Sequence, residues 1–382
     1  MIKQQSVVRK NNIKKYNILL CFIIILVITV VTITMSSYIE KKYEWAADIC
    51  APREYPVEVY TGAAGGYFFS QMGGFSNSGW GGLGSIDYIK APVPDRLDMT
   101  WLSYVDNKFY KGDWKLPTEK IKELFDEGFP ARPGLENVKE PYDYINIGLG
   151  PKGMVVVWVA GAGSQVEVAR FQAHETVVDP KLIIESEMYM FRKGYSQHRL
   201  ENNFVISEDV REQIKQYGCP QSEAYEAYRE KYLWKPKVIL PEGCKITSMY
   251  VKMCNGEKED PYDKPIDMKY RAIPYAFQIY WSITSGKKER RFVSRIAFTN
   301  DKEYWAKYLK PMGQDEIPVD FDKNEIRMLY KEHLDKNKSA EMVIKIDPTK
   351  QEDDKWVVDF YVEQEGKKYN LNQNCQDSGK LN

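Results

Sequence analysis

Only three histidines are available for neutral-pH acid–base work: His174, His198 and His333. None sits in HExxH, the spacing that places two imidazoles on one helix face for zinc. His333 falls in a helical pattern, where a solvated or half-buried ring is the ordinary role. Ser196 lies in GYSQH, Gly194 to His198, which resembles a nucleophile elbow. The elbow needs a final Gly and a strand leading into its turn. His198 stands in place of that Gly, and MYMFRK is a poor strand. The segment GLGPKG, with Gly148, Gly150 and Gly153, matches the dinucleotide motif letter for letter. That motif must open a helix whose N-terminus holds a pyrophosphate. Here the β-branched run MVVVWVA follows, so the segment reads as a hairpin turn. Acidic residues are mixed evenly with Lys and Arg, as on a solvated surface. No CxxC and no Cys/His cluster is present, so neither a metal site nor a cofactor is indicated. No catalytic residue is assigned, and the reading leans away from an enzyme.

One stretch stands apart in composition. Residues 62–84, GAAGGYFFSQMGGFSNSGWGGLG, hold nine glycines. No Lys-Ser or Lys-Thr follows, so this is not a P-loop. Glycine here permits tight turns or a mobile loop, and a ligand-binding loop is the functional alternative. Trp80, in SGWGG, is flanked by residues too small to bury it locally. Two readings stand. The ring is either an exposed anchor for a binding partner, or it folds back into the core as a plug for its own loop.

The elements that would position these residues read as strands and helices in alternation. LDMTWLSYV and FYKG form a hairpin, and Thr118 caps a helix carrying Ile121, Leu124 and Phe125. YDYINIGL, MVVVWVA and QVEVARFQA form a meander. Ser207 caps SEDVREQIKQYG, and Ser222 caps SEAYEAYREKYLW. KVILP and CKITSMYVKM are strands. AFQIYWSITSG and RRFVSRIAF form a second hairpin. Asn300 opens a helix with Tyr304, Trp305, Tyr308 and Leu309, and Asp322 with Glu325 marks another. AEMVIKI, KWVVDFYVE and KKYNL close the chain as strands. The fold class expected is α+β, with antiparallel β-meanders and helices packed on them. Two lobes would divide near residues 255–270.

Composition narrows the partners. Charge is balanced at 54 basic and 54 acidic residues, which argues against nucleic acid. Aromatics reach 13%, with 27 Tyr and 9 Trp. They fall mostly in strand-like runs, which favours a strand-rich core over a recognition surface. Five cysteines (Cys50, Cys219, Cys244, Cys254, Cys375) follow the N-terminal region. Cys244 and Cys254 bracket a single strand and so stand roughly 30 Å apart, too far for a disulfide.

Residues Ile18 to Met35, ILLCFIIILVITVVTITM, carry no charge, and Lys3, Arg9, Lys10, Lys14 and Lys15 precede them. As a helix the run covers roughly 27 Å, close to a hydrocarbon core. The positive-inside rule then keeps the N-terminus in the cytoplasm. The run is long for a cleaved signal peptide, and Thr34-Met35-Ser36 is a poor cleavage site. The organisation expected is a cytoplasmic basic tail (1–17), a transmembrane anchor (18–36), a stalk (37–52), a first extracytoplasmic lobe (53–260) and a second (261–382).

The stretches LDMTWLSYVDNKFYKGDWKLPTEKI, IGLGPKGMVVVWVAG with VEVARFQA, and YREKYLWKPKV resemble a bacterial family of unknown function, numbered two-nine-three-one. The likeness runs from about Tyr55 to Val238, carried by Trp101, Phe109-Tyr110 and Trp158. Members of that family are typically exported, often as lipoproteins, and this chain departs from them by lacking a lipobox. Some similar proteins are encoded beside phospholipase-type effectors. The resemblance therefore implies an immunity protein at the inner membrane that blocks a secreted, membrane-directed toxin from the periplasm. The alternative is an envelope enzyme with the glycine-rich loop over its pocket.

Overall fold

The computed structural model describes residues 24, 40–68, 74–84, 87–130, 138–219, 221–260, 265–297, 324–349, 356–371 and 375–381. Residues 44–89 and 93–382 make one compact unit. Residues 1–43 and 90–92 make the other, of which little is described.

Strands dominate the larger unit, in three large sheets and a two-stranded pair of Phe129–Pro130 with Lys139–Glu140. The largest runs in the order Cys375–Leu381, Lys288–Ala297, Pro274–Ser285, Cys244–Met253, Lys258–Glu259, Gln165–Gln172, Met154–Ala160, Tyr144–Leu149, Tyr43–Cys50. The second orders His174–Thr176, Lys108–Lys115, Arg96–Ser103, Val57–Ala64 and Tyr67–Phe68, with Phe75–Ser76 also paired to Val57–Ala64. The third orders Lys269–Ala272, Lys231–Ile239, Ala340–Ile346, Val357–Gln364 and Lys367–Asn370.

The central strand Met154–Ala160 is buried at every position. Its unbroken apolar run is what a strand covered on both faces requires. The hairpins expected from the sequence are present: Arg96–Ser103 pairs antiparallel with Lys108–Lys115, and Pro274–Ser285 with Lys288–Ala297.

The α+β expectation of helices packed on meanders is overturned. The described helices at Thr118–Glu127, Glu208–Tyr217 and Asn324–His333 span ten residues each, against strands running through all three sheets. The helix expected from Ser222 to Trp234 stops at Ala227, and Lys231–Ile239 is a strand. Tyr232, Trp234 and Pro236 alternate inward there, so the period of two outweighs helix propensity. The topology is also not purely antiparallel. Tyr43–Cys50 pairs parallel with Tyr144–Leu149, and Lys231–Ile239 pairs parallel with Ala340–Ile346.

The two-lobe division falls inside the single larger unit. Lys258–Glu259 pairs with both Gln165–Gln172 and Cys244–Met253, which in turn pairs with Pro274–Ser285. Sheet hydrogen bonding thus crosses the expected boundary. Arg271 fastens the same region. Its guanidinium is buried, 3.0 Å from both Glu259 oxygens, and donates to the Trp234 and Asp267 carbonyls at 2.8 Å each. That set satisfies most of a buried cation's donors, which is the condition for tolerating it there.

Among the described residues no helix is long and apolar enough to cross a membrane. The segment expected to do so, 18–36, lies outside the described residues apart from Ile24. The expected helix at 300–309 also lies outside them.

Candidate functional site

The residues singled out by sequence do not converge. Ser196 is buried in the short helix Tyr195–Leu200, while His198 two positions on is exposed. Residues two apart on a helix do not face each other. His174 is exposed on the edge strand His174–Thr176, and His333 stacks on Tyr369 with ring centroids 4.8 Å apart.

GLGPKG is a hairpin turn between Tyr144–Leu149 and Met154–Ala160, closed by Gly150 N–H donating to the Met154 carbonyl at 2.8 Å. Lys152 adopts φ +59° at its tip. This left-handed conformation turns the chain, and Lys152 Nζ reaches Asp106 at 2.6 Å. Asp106 also accepts from the Tyr55 hydroxyl, and from Tyr110 at 2.9 Å. Burial alone would raise the Asp106 carboxyl. The bonds from Lys152, Tyr55 and Tyr110 outweigh it and hold the group below the usual carboxylate range. The result ties two hairpin turns together.

Trp80 is 3% exposed, so it presents no ring to a partner. It packs edge-on against Trp158 at 5.0 Å and Tyr225 at 4.8 Å. The part of the glycine-rich loop around it lies along a polar row that crosses the large sheet. Asp48 and Asn146 are direct register partners on neighbouring strands. Gly84 N–H donates to Asp48. Asn146 donates to the Gly82 carbonyl at 2.9 Å, and Gln165 to the Gly81 carbonyl at 3.1 Å. Gln165 also donates to the Gly256 carbonyl at 2.6 Å. A Cβ at Gly81 would stand 2.8 Å from Gln165 Nε2 and 2.9 Å from Gly256 Cα. Residues 79–84 are therefore docked on the sheet. Burial raises the Asp48 carboxyl, although the backbone donors of Gly84 and Ile49 oppose the shift.

A second constellation was not visible in the sequence. Residues 174–217 form a cap of short helical turns over the outer face of the second sheet. Its inner side buries Met190, Val205, Ile206 and Val210 against Tyr60, Leu102 and Tyr104. One buried carboxylate fastens it. Glu58, on Val57–Ala64, accepts from Tyr104 in the turn that follows the neighbouring strand Arg96–Ser103, from Tyr189 at 2.9 Å and from Tyr195 at 2.8 Å. Burial first, and then the bond to Glu58, push the Tyr195 hydroxyl up to about 12. Tyr104 and Tyr189 are raised in the same sense, burial again leading. All three remain donors at neutral pH. Arg199 donates to the Tyr104 hydroxyl at 3.2 Å and covers the Phe75 ring at 4.9 Å.

The outer side of this cap is apolar in an unusual degree. Val177 is 91% exposed, Phe204 88% and Leu182 74%, and Met188 and Ile184 are also exposed. Beside Val177 opens a groove of about 380 Å³, floored by the stacked rings of Phe109 and Phe191 and rimmed by the Lys108–Glu175 ion pair. Single exposed apolar residues are ordinary, and five of them within residues 177–204 make this segment the candidate surface. The run DPKLIIESEMYMFRK hints at it, because its apolar residues follow neither the helix nor the strand period. Nothing in the sequence links Glu58 to Tyr189 or Tyr195.

Residues 31–222, half of the chain, match the DUF2931 family, described as a protein of unknown function. No curated protein and no solved structure matches.

Three outcomes follow from this geometry. Trp80→Ala should cost about 3–5 kcal/mol in chemical denaturation, as for other buried aromatics; a change under 1 kcal/mol would show that the loop does not depend on the ring. Glu58→Gln turns an amide toward three hydroxyl donors. It should cost on the order of 1–3 kcal/mol and speed amide exchange selectively at residues 185–206, whereas uniform exchange would mean that the cap is held otherwise. Asp106 has a depressed folded-state pKa, so its stabilisation is complete above its unfolded value of about 3.9 and is lost as pH falls below it. Asp106→Asn should therefore lower stability near neutral pH and flatten the acid limb of the stability curve. An unchanged acid limb would remove Asp106 from that role.

Proposed function

The chain belongs to the DUF2931 family, and on that premise we propose that it is a non-enzymatic binding protein of the bacterial envelope. The observation that carries this reading is the exposed apolar side of the cap, with Val177, Leu182 and Phe204 its most open residues. The apolar run Ile18–Met35, behind its basic tail, supports attachment to the inner membrane with the bulk of the chain in the periplasm.

Strand directions give the cap a definite place. The chain enters the large sheet at Tyr43, and seven residue steps of strand carry it roughly 23 Å to Cys50. The 150–153 turn lies at that far end, because Gly148 is the register partner of Cys50. Ala173 N–H donates to the Gly153 carbonyl there, and the cap starts from it. Phe75 pairs with Glu58 near the start of Val57–Ala64, and Asn77 donates to the Val205 carbonyl at 2.8 Å, so Phe204 lies toward the same end. Val177 and Phe204 thus sit away from the point of chain entry, with Leu182 and Ile184 beside Tyr60, midway along Val57–Ala64, an arrangement that suits a protein partner arriving from the periplasm. The partner class we favour is a secreted, membrane-directed toxin of phospholipase type, which would make this an immunity protein. The support is the behaviour of similar proteins noted above. The competing idea, an enzyme whose pocket lies under the glycine-rich loop, gains nothing from residues 79–84, which fill that space themselves.

The test is binding to the product of the neighbouring gene by full-length protein. A central aromatic anchor is worth about 2 kcal/mol, roughly thirtyfold in Kd. Phe204→Asp with Leu182→Asp should weaken the complex at least to that degree, with the melting temperature unchanged. Unaltered affinity in that variant would remove the cap as the interface.

A further inference from the structure

The opposite end of the strands carries a different surface. The Val57–Ala64 strand returns toward the point of chain entry and turns at Gly65 and Gly66, both at positive φ. Tyr67 and Phe68 follow, paired to Ala64 and Ala63. Tyr67 meets Trp45 edge-on at 6.0 Å, which fixes this turn beside the first residues of Tyr43–Cys50. Phe68 is 76% exposed, Tyr67 41% and Tyr88 40%. Tyr88 stacks edge-on against Tyr144 at 5.3 Å and donates to Asp143 at 3.1 Å. Tyr144 is the register partner of Ala46, so it belongs to the same end.

Three half-open or open aromatic rings therefore collect where the chain enters the sheet. Each Tyr has an apolar body and a hydroxyl tip, the combination that suits the headgroup region of a bilayer. The length of chain before them limits what can cover them. The apolar run ends at Met35 and the strand begins at Tyr43. Eight residue steps reach at most about 28 Å when fully extended, so a membrane holding that run lies within reach of these rings.

We propose that this end of the domain seats on the lipid headgroups, with Phe68 entering the interface and Tyr67 and Tyr88 flanking it. The occupant is the bilayer itself, and the contact is driven by aromatic burial. It holds the domain in one orientation, with the cap presented outward. The proposal rests on the membrane attachment proposed above.

The experiment uses the full-length chain in vesicles of phosphatidylethanolamine and phosphatidylglycerol that carry a headgroup spin label. Phe68→Trp adds an emitter at the proposed contact, and Phe204→Trp adds one at the opposite end. The emission each adds is read as a difference from the parent chain. The result expected is a blue shift and loss of the Phe68→Trp emission in spin-labelled vesicles, with Phe204→Trp unaffected. Protein that resists carbonate extraction from membranes yet keeps its Phe68→Trp emission overturns the seat and leaves the attachment intact. Protein released by carbonate overturns the attachment and the seat with it. A blue shift without quenching by labelled lipid assigns the rings to a protein neighbour and overturns the lipid as occupant.

Discussion

Trp158 dictates the packing around it. Its ring is fully buried, in a strand that is buried along its whole length. A Cβ at Gly148 would stand 2.5 Å from it, and one at Gly256 2.7 Å. Both positions must therefore stay bare for the ring to fit, because interiors have no slack of that size. The space left above Gly148 and Gly150 is taken by Trp80, which brings the glycine-rich segment down with it. Once there, that segment's peptide groups need partners, since a buried amide or carbonyl without one is costly. Asp48, Asn146 and Gln165 meet that need from three strands. At Gly81 and Gly84 the glycine is thus a consequence of close approach between a loop and a sheet, whereas Gly65 and Gly66 serve a turn at positive φ. Gly81 and Gly84 let the backbone come near enough for side chains to bond it, and Gly82 makes room for the Ser78 carbonyl of its own loop.

How much of this could be read beforehand depended on the range of the interaction. Local patterns carried well. The hairpins around residues 104–107 and 286–287 have their turns where the sequence puts them, and GLGPKG is a turn because a β-branched run follows it. Patterns that needed a choice between periods carried poorly. Tyr228 to Trp234 fits a helix face as well as a strand, and only the neighbours Lys269–Ala272 and Ala340–Ile346 decide it. Pairings between distant segments did not carry at all. The sequence around Glu58 reads as an ordinary strand, and its partners Tyr189 and Tyr195 lie more than a hundred residues away. For Trp80 the sequence left an exposed anchor and a core plug side by side. Choosing between them required the position of Trp158, which nothing near residue 80 encodes.

The same limit separates the candidate surface from the motifs. The segments whose residue spacing resembles a chemical motif serve the fold here. Lys152 and Asp106 join two turns. Ser196 lies buried at the root of the cap. The part of the cap before Tyr195 has little regular structure: Pro180–Leu182 and Glu185–Phe191 are 3₁₀ pieces. Such a segment has few backbone bonds of its own and depends on side chains to stay in place. Glu58 supplies the fixed point, and three tyrosine hydroxyls spread its charge over two elements of the cap and one hairpin turn beneath. A cap held from below in this way leaves its upper side free of structural duty. That freedom is what allows Val177, Leu182 and Phe204 to remain exposed, and selection for stability alone gives no reason for them to be apolar.

The two ends of the strands differ in the character of their open apolar groups, and this asymmetry gives the molecule a direction. At the end of chain entry the exposed side chains are aromatic, two of them with hydroxyl tips. Toward the far end stand Phe204 and Val177 with its groove, and the aliphatic Leu182 and Ile184 lie midway, beside Tyr60. Aliphatic surface without polar tips gains most from a dry protein contact, in which every neighbouring group is also taken from water. Tyrosine surface is better suited to a boundary that stays partly wet. A chain tethered close to its entry end can meet a bilayer only with that end first, because the strands carry the 150–153 turn, from which the cap starts, roughly 23 Å farther out. The distribution of ring and chain types along the strands therefore matches the order in which the two environments would be met.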